Sequence, residues 1–170
     1  MSLLVLVLAA AGAVAGPAAD PLAPARAGWL QCHTPDRSRK TCLALAGYRF
    51  AADGAILNEA QVLLSPDPLV TLTTVSPVVV RDGAVCGPFE GLDTASVAVR
   101  GQPADAGTTA AVRQQMIAAM AAYIGKEGCT TYAPAGDGLI GHVTLGATRR
   151  PDLDQPVLWV DPAEGWVVGP

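Results

Sequence analysis

At 170 residues, with 51% apolar and only 15% charged side chains against a usual charged share of roughly 25%, the chain has the length and apolar content for one globular domain with its own core. The formal charge is -4, and the eleven basic residues are scattered except at Arg37, Arg39, Lys40 and at Arg149, Arg150, which excludes the basic face that a nucleic-acid partner requires. Arg outnumbers Lys nine to two, a habit of GC-rich genomes that carries no functional information.

The run from Leu3 to Val14 contains only Leu, Val, Ala and Gly, and Ala13-Val14-Ala15 precedes Gly16 and Pro17. This reads as a secretory signal peptide over residues 1–15, with cleavage after Ala19 as the alternative. Pro17 breaks the run short of the roughly 20 residues that a membrane span needs, so no stable span is expected after cleavage. Residues 16–28 are rich in Pro and Ala without periodicity and read as a flexible lead-in, leaving residues 29–170 as a single domain.

Four cysteines lie in that domain, at Cys32, Cys42, Cys86 and Cys129, an even number suited to an oxidising compartment. Of the three connectivities, Cys32 with Cys42 closes a short local loop, and Cys86 with Cys129 ties a hairpin to the end of a helix. The alternative is four reduced, buried thiols. Between the first two cysteines runs His33-Thr34-Pro35-Asp36-Arg37-Ser38-Arg39-Lys40-Thr41, whose three cations suggest an anion-binding loop. The plainer reading, which we prefer, is a solvated loop in which Ser38 or Thr41 caps a short turn over residues 42–47. Cys32 and His33 are adjacent, which is not the usual spacing of zinc ligands, and no metal or cofactor is expected.

Gln31-Cys32, Lys40-Thr41-Cys42 with Leu45 and Tyr48, Val85-Cys86-Gly87, and Trp159-Val160-Asp161-Pro162 with Gly165 resemble short exported proteobacterial proteins of unassigned function. The resemblance implies export and cysteine pairing, and it implies no active site.

Residues 48–52 and 55–64 read as extended segments around the turn dipeptide Asp53-Gly54. Residues 69–75 alternate Val70 and Leu72 with Thr71 and Thr73, as a strand with one wet face does. Asp82-Gly83 between apolar runs marks a two-residue hairpin that sets Val80 opposite Val85 and Val79 opposite Cys86. A short strand is expected over residues 94–100. From Thr108 to Cys129, Val112, Met116, Met120, Tyr123 and Ile124 recur at helical spacing, which predicts a long helix capped by Thr108 or Thr109. Residues 130–138 read as turns and residues 139–145 as a strand carrying His142. Residues 149–154 form a polar loop, and residues 157–168 form a second hairpin around Asp161-Pro162 and Gly165.

Only two histidines exist, His33 and His142. A hydrolase would join His142 to Asp137 and to Ser96 or Ser76, yet no serine sits in a Gly-x-Ser-x-Gly context. A thiol nucleophile from Cys86 or Cys129 disappears if the cysteines are paired. Asp152 with Asp154 lacks the run of a calcium loop. Trp159 and Trp166, in the expected hairpin, either stack on a ligand or fill the core.

The expected fold is α+β, an antiparallel sheet of about five or six strands packed on one long helix. The expected function is non-enzymatic binding in the periplasm or outside the cell, through Arg37, Arg39 and Lys40 or through Trp159 and Trp166. The partner would be a protein, a glycan or a small anionic ligand. The alternatives are a small hydrolase built on His142 and a structural accessory of the envelope.

Overall fold

Successive segments of this chain alternate small or apolar residues with polar ones at a period of two, and in the computed structural model, which describes residues 20–170, nearly all of them are strands. In chain order they are α1 (Ala23–Arg26), β1 (Leu30–Asp36), β2 (Thr41–Phe50), β3 (Ile56–Pro66), β4 (Leu69–Arg81), β5 (Ala84–Pro88), β6 (Ser96–Val99) and β7 (Gln102–Pro103). Then follow α2 (Ala106–Ala119), β8 (Glu127–Ala135), β9 (Gly138–Leu145), β10 (Thr148–Arg149), β11 (Gln155–Val160) and β12 (Val167–Val168). The expected signal peptide lies outside the described residues.

Neighbouring strands pair antiparallel from β1 through β5, then β5 pairs β8, β8 pairs β9, β9 pairs β11, and β11 returns to β1. These eight strands form a closed barrel, and β6, β7, β10 and β12 attach outside it. Closure leaves the barrel wall without an unpaired edge. It also divides every strand into an inward and an outward set of side chains. The inward set is small in places, with Ala44 and Ala46 on β2, Ala60 on β3, Gly87 on β5 and Gly128 on β8, so the barrel encloses space that larger residues would have filled.

This architecture overturns the expected α+β sheet on a long helix. Residues 33–36 and 130–135, read as loop and turn, belong to strands β1 and β8, and Thr41–Phe50 is one continuous strand where a cap and turn were expected over residues 41–47. The helix ends at Ala119, ten residues before Cys129; Gly125 then turns the chain at φ +77 into β8. Its cap is Asp105, whose Oδ1 accepts the Thr108 N–H at 2.9 Å, in place of Thr108 or Thr109. No residue of α2 is fully buried, because its apolar stripe is too narrow to cover a sheet. Val112 and Met116 pack on Leu72, Ala95 and Val97, and Arg113 Nε donates to the Ala95 carbonyl at 2.7 Å. The expected terminal hairpin does not form either: β12 pairs in parallel with β2 at Thr41 and Cys42.

Part of the expected flexible lead-in is ordered. Residues 20–28 contain α1, and Leu22 is completely buried among Val85, Tyr48, Ile56, Tyr132 and Trp159, where it stops one end of the barrel. Asp20 fastens this plug: its carboxylate accepts the Leu22 N–H at 2.9 Å and the Arg26 Nε–H at 2.8 Å. The Arg26 bond, more than any other influence, holds the Asp20 carboxyl below its ordinary pKa. Arg26 in turn lies over the Phe50 ring, 4.1 Å from its centroid.

The cysteines pair as Cys32–Cys42 and Cys86–Cys129, with no free cysteine among the described residues. Cys32–Cys42 packs against Val160, Leu45, Leu158 and Trp166 on the outer face of the wall. Cys86 and Cys129 are direct cross-strand partners on β5 and β8, so this bridge staples two barrel strands and touches no helix end.

Candidate functional site

The inward residues of the barrel strands enclose a cavity of about 630 Å³, within the size range of small-molecule sites. Most of its wall is aliphatic, from Ala44, Ala60, Val62, Leu72 and Val143, with scattered neutral polar groups such as Asn58, Thr74, Ser76 and Thr130. Among the described residues lining it, the only carboxylate is Glu90, which is exposed, and there is no Lys or Arg. Met116, Met120 and Tyr123 from α2 and its following turn border the mouth opposite the α1 plug. Phe89 stands there against Tyr123, with ring centroids 5.9 Å apart, and lies so close over Gly128 that a Cβ on that glycine would fall 2.6 Å from the ring. Arg150 Nη2 donates to the Tyr123 hydroxyl at 3.2 Å and fixes the ring at the rim.

Toward the plugged end, the lumen carries a small polar cluster. Gln31 on β1 is 0% exposed, and its Oε1 accepts the Tyr48 hydroxyl at 2.7 Å and the Tyr132 hydroxyl at 3.4 Å. Burial pushes both phenols above their ordinary pKa, so they remain hydrogen-bond donors. Gln31 Nε2 and His33 Nδ1 are shielded from solvent and have no hydrogen-bond partner among the described residues. Burial lowers the His33 pKa to about 4, leaving a neutral imidazole at neutral pH. Buried polar groups in native proteins are overwhelmingly paired, so two orphans on one face of one strand call for a reason.

The residues expected to bind a partner are placed elsewhere. Arg37 pairs with Asp137 at 2.8 Å, Arg39 with Asp36 at 2.8 Å, and Lys40 Nζ donates to the Glu164 carbonyl at 3.1 Å, so each cation of the loop is met by an oxygen of the chain. The Ser38 hydroxyl, followed by the Arg39 N–H and guanidinium, bonds Asp36 and draws its pKa down to about 2. Trp159 and Trp166 do not form a pair: Trp159 packs with Tyr48 in the plugged end, at a centroid distance of 6.4 Å. Trp166 lies on the outer cluster around Cys32–Cys42, with its Nε1–H donated to Glu164 at 2.9 Å.

The hydrolase constellation is not assembled. His142 bonds Asp154 at 2.9 Å instead of Asp137, and Arg149 Nη1 also donates to Asp154, at 2.7 Å. The Arg149 guanidinium holds the Asp154 carboxyl well below the usual carboxylate range. Ser76 donates to the Glu90 carbonyl at 3.3 Å, and Ser96 opens β6, which joins β4 and not β9. Cys86, Cys129 and Glu127 lie close enough together to suggest a metal, but both sulfurs are in a disulfide and offer no thiolate. Asp152 is paired with Arg150.

Sequence reasoning missed Gln31, Tyr48 and Tyr132 as site residues and placed His33 in a polar loop. The signal was present as a period of two: Ala44, Ala46 and Tyr48 on one strand and Asn58, Ala60 and Val62 on the next are small or neutral where a packed core would carry Leu, Ile or Phe. Compared with known proteins, the chain matches no family model, no curated protein and no solved structure.

Proposed function

We propose that this chain is a non-enzymatic binding protein that holds one small, uncharged, largely apolar molecule inside its barrel. The observation that carries this reading is the cavity of about 630 Å³ with an aliphatic wall and two unpartnered buried polar groups. An eight-stranded barrel is just wide enough to be filled by its own side chains or to hold one small ligand, and the inward Ala and Gly residues favour the second outcome. The lack of Lys or Arg among the described lining residues argues against the small anion expected from the Arg37, Arg39 and Lys40 loop. Export to an oxidising compartment belongs to the same proposal and is supported by the two disulfides. No described helix is long and apolar enough to cross a membrane.

The test is native mass spectrometry of the protein recovered from its own host without denaturation. One additional uncharged small molecule per chain, released on unfolding, is expected. A bare chain that takes up no uncharged apolar compound from a mixed set, under conditions where it is folded, would contradict the reading.

A further inference from the structure

Resting on that reading, we infer that the lumen selects its guest by a hydrogen-bond acceptor: the ligand is an uncharged apolar molecule carrying a carbonyl-type oxygen, received by Gln31 and His33. The Gln31 amide is oriented by its own neighbours. Two tyrosine hydroxyls donate to Oε1, at 2.7 Å from Tyr48 and 3.4 Å from Tyr132, and in this orientation the amide nitrogen turns away from them. Nε2 therefore presents N–H donors only, and none has a partner among the described residues. His33 follows two residues later on the same face of β1, about 6.6 Å along the strand, and its Nδ1 is likewise unpartnered; in the Nδ1–H tautomer of the neutral ring it is a second donor. A buried donor left unmet is unfavourable, and an oxygen with two lone pairs is the group that relieves it.

The rest of the cavity defines the remainder of the molecule. Ala44, Ala60, Val62 and Val143 offer no hydrogen bonds, so the body of the ligand is hydrocarbon-like, extending from the polar cluster toward Met116 and Met120 at the mouth. A carboxylate in place of the carbonyl would enter a lumen with no cation among its described lining residues to compensate it.

Two uncharged fluorophores separate this inference from the lumen reading itself: 6-propionyl-2-(dimethylamino)naphthalene, a ketone, and N-phenyl-1-naphthylamine, which has no carbonyl. Both are titrated into the wild type, His33→Leu and Gln31→Met. The ketone is expected to bind the wild type with emission shifted to the red by hydrogen bonding. In His33→Leu it is expected to lose roughly three- to tenfold in affinity, the worth of one neutral hydrogen bond, and part of that shift. Binding of the arylamine to the same variant is expected to stay within about twofold. His33→Leu leaves the Gln31–Tyr48–Tyr132 cluster intact, so it keeps the test valid should Gln31→Met fail to fold. Binding of both probes with no selective loss of the ketone overturns the acceptor inference and leaves the lumen reading standing. Failure of both probes to bind the wild type overturns both.

Discussion

The Tyr48 hydroxyl reaches from β2 to Gln31 Oε1 on β1 at 2.7 Å, and it is the shorter of the two bonds that orient the buried amide. Tyr48→Phe removes this donor and leaves Oε1 with Tyr132 at 3.4 Å. The expected cost is about 1–3 kcal/mol, the penalty for an under-satisfied buried acceptor, read from urea unfolding. Because the ring is retained, its contact with Trp159 persists, and the near-ultraviolet dichroism of the folded variant is expected to match the wild type. A change below about 0.5 kcal/mol would show that the amide is held by other means.

Leu22 tests whether the N-terminal plug belongs to the barrel. It is completely buried in the cluster that closes one end. Leu22→Ala is therefore expected to destabilise the fold by about 2–5 kcal/mol. It is also expected to raise acrylamide quenching of Trp159, read in a background where Trp29 and Trp166 are replaced by Phe. Unchanged stability and quenching would show that α1 is a passive attachment.

His33 makes stability depend on pH over a defined window. Its pKa is about 4 in the folded chain and near 6.5 when exposed. Between those values the unfolded chain binds a proton that the folded chain does not, so stability rises with pH across the window and falls as pH drops through it. The full loss from this residue is about 3 kcal/mol, complete below pH 4. The depressed carboxyls of Asp20 and Asp154 act lower, their contributions being lost as pH falls below the ordinary value of 3.8. Comparing urea midpoints of the wild type and His33→Leu from pH 7 to 4 isolates the histidine, and parallel profiles would show that the imidazole is not shielded.

What the sequence discloses and what it hides divide along contact distance. Asp82-Gly83 defines its own hairpin, and the register read from it, Val80 opposite Val85 and Val79 opposite Cys86, is the register of the structure. The expected cysteine pairs are those in the structure, although Cys129 lies on strand β8 and not at the helix end where it was expected. Barrel closure is different in kind, since it depends on β11 returning to β1, where Trp159 faces Gln31 across most of the chain length. No local dipeptide encodes that pairing. The helix was overestimated because the stripe that begins with Met116 continues past Ala119 into turns, where Met120 and Tyr123 line a cavity mouth and do not cover a sheet. The site was hidden for a related reason: inward alanines have no chemistry of their own, and become informative only when closure places them around one space.

The staples should differ in weight. Cys86–Cys129 spans 43 residues and Cys32–Cys42 spans 10. In the chain-entropy picture, their removal costs about 4 and about 3 kcal/mol respectively. Paired Cys→Ala variants compared by urea unfolding are expected to follow that order, and a reversal would show that native packing around Cys32 and Cys42 outweighs loop length.

The most direct test of the lumen as a binding site is titration of N-phenyl-1-naphthylamine into the wild type and into Ala60→Phe, whose ring would take up part of the cavity that Ala60 lines. Saturable one-to-one binding to the wild type is expected, together with its loss in a variant that circular dichroism shows to be folded. Equal binding to both proteins would place the probe on the outer surface and contradict an open, ligand-holding barrel.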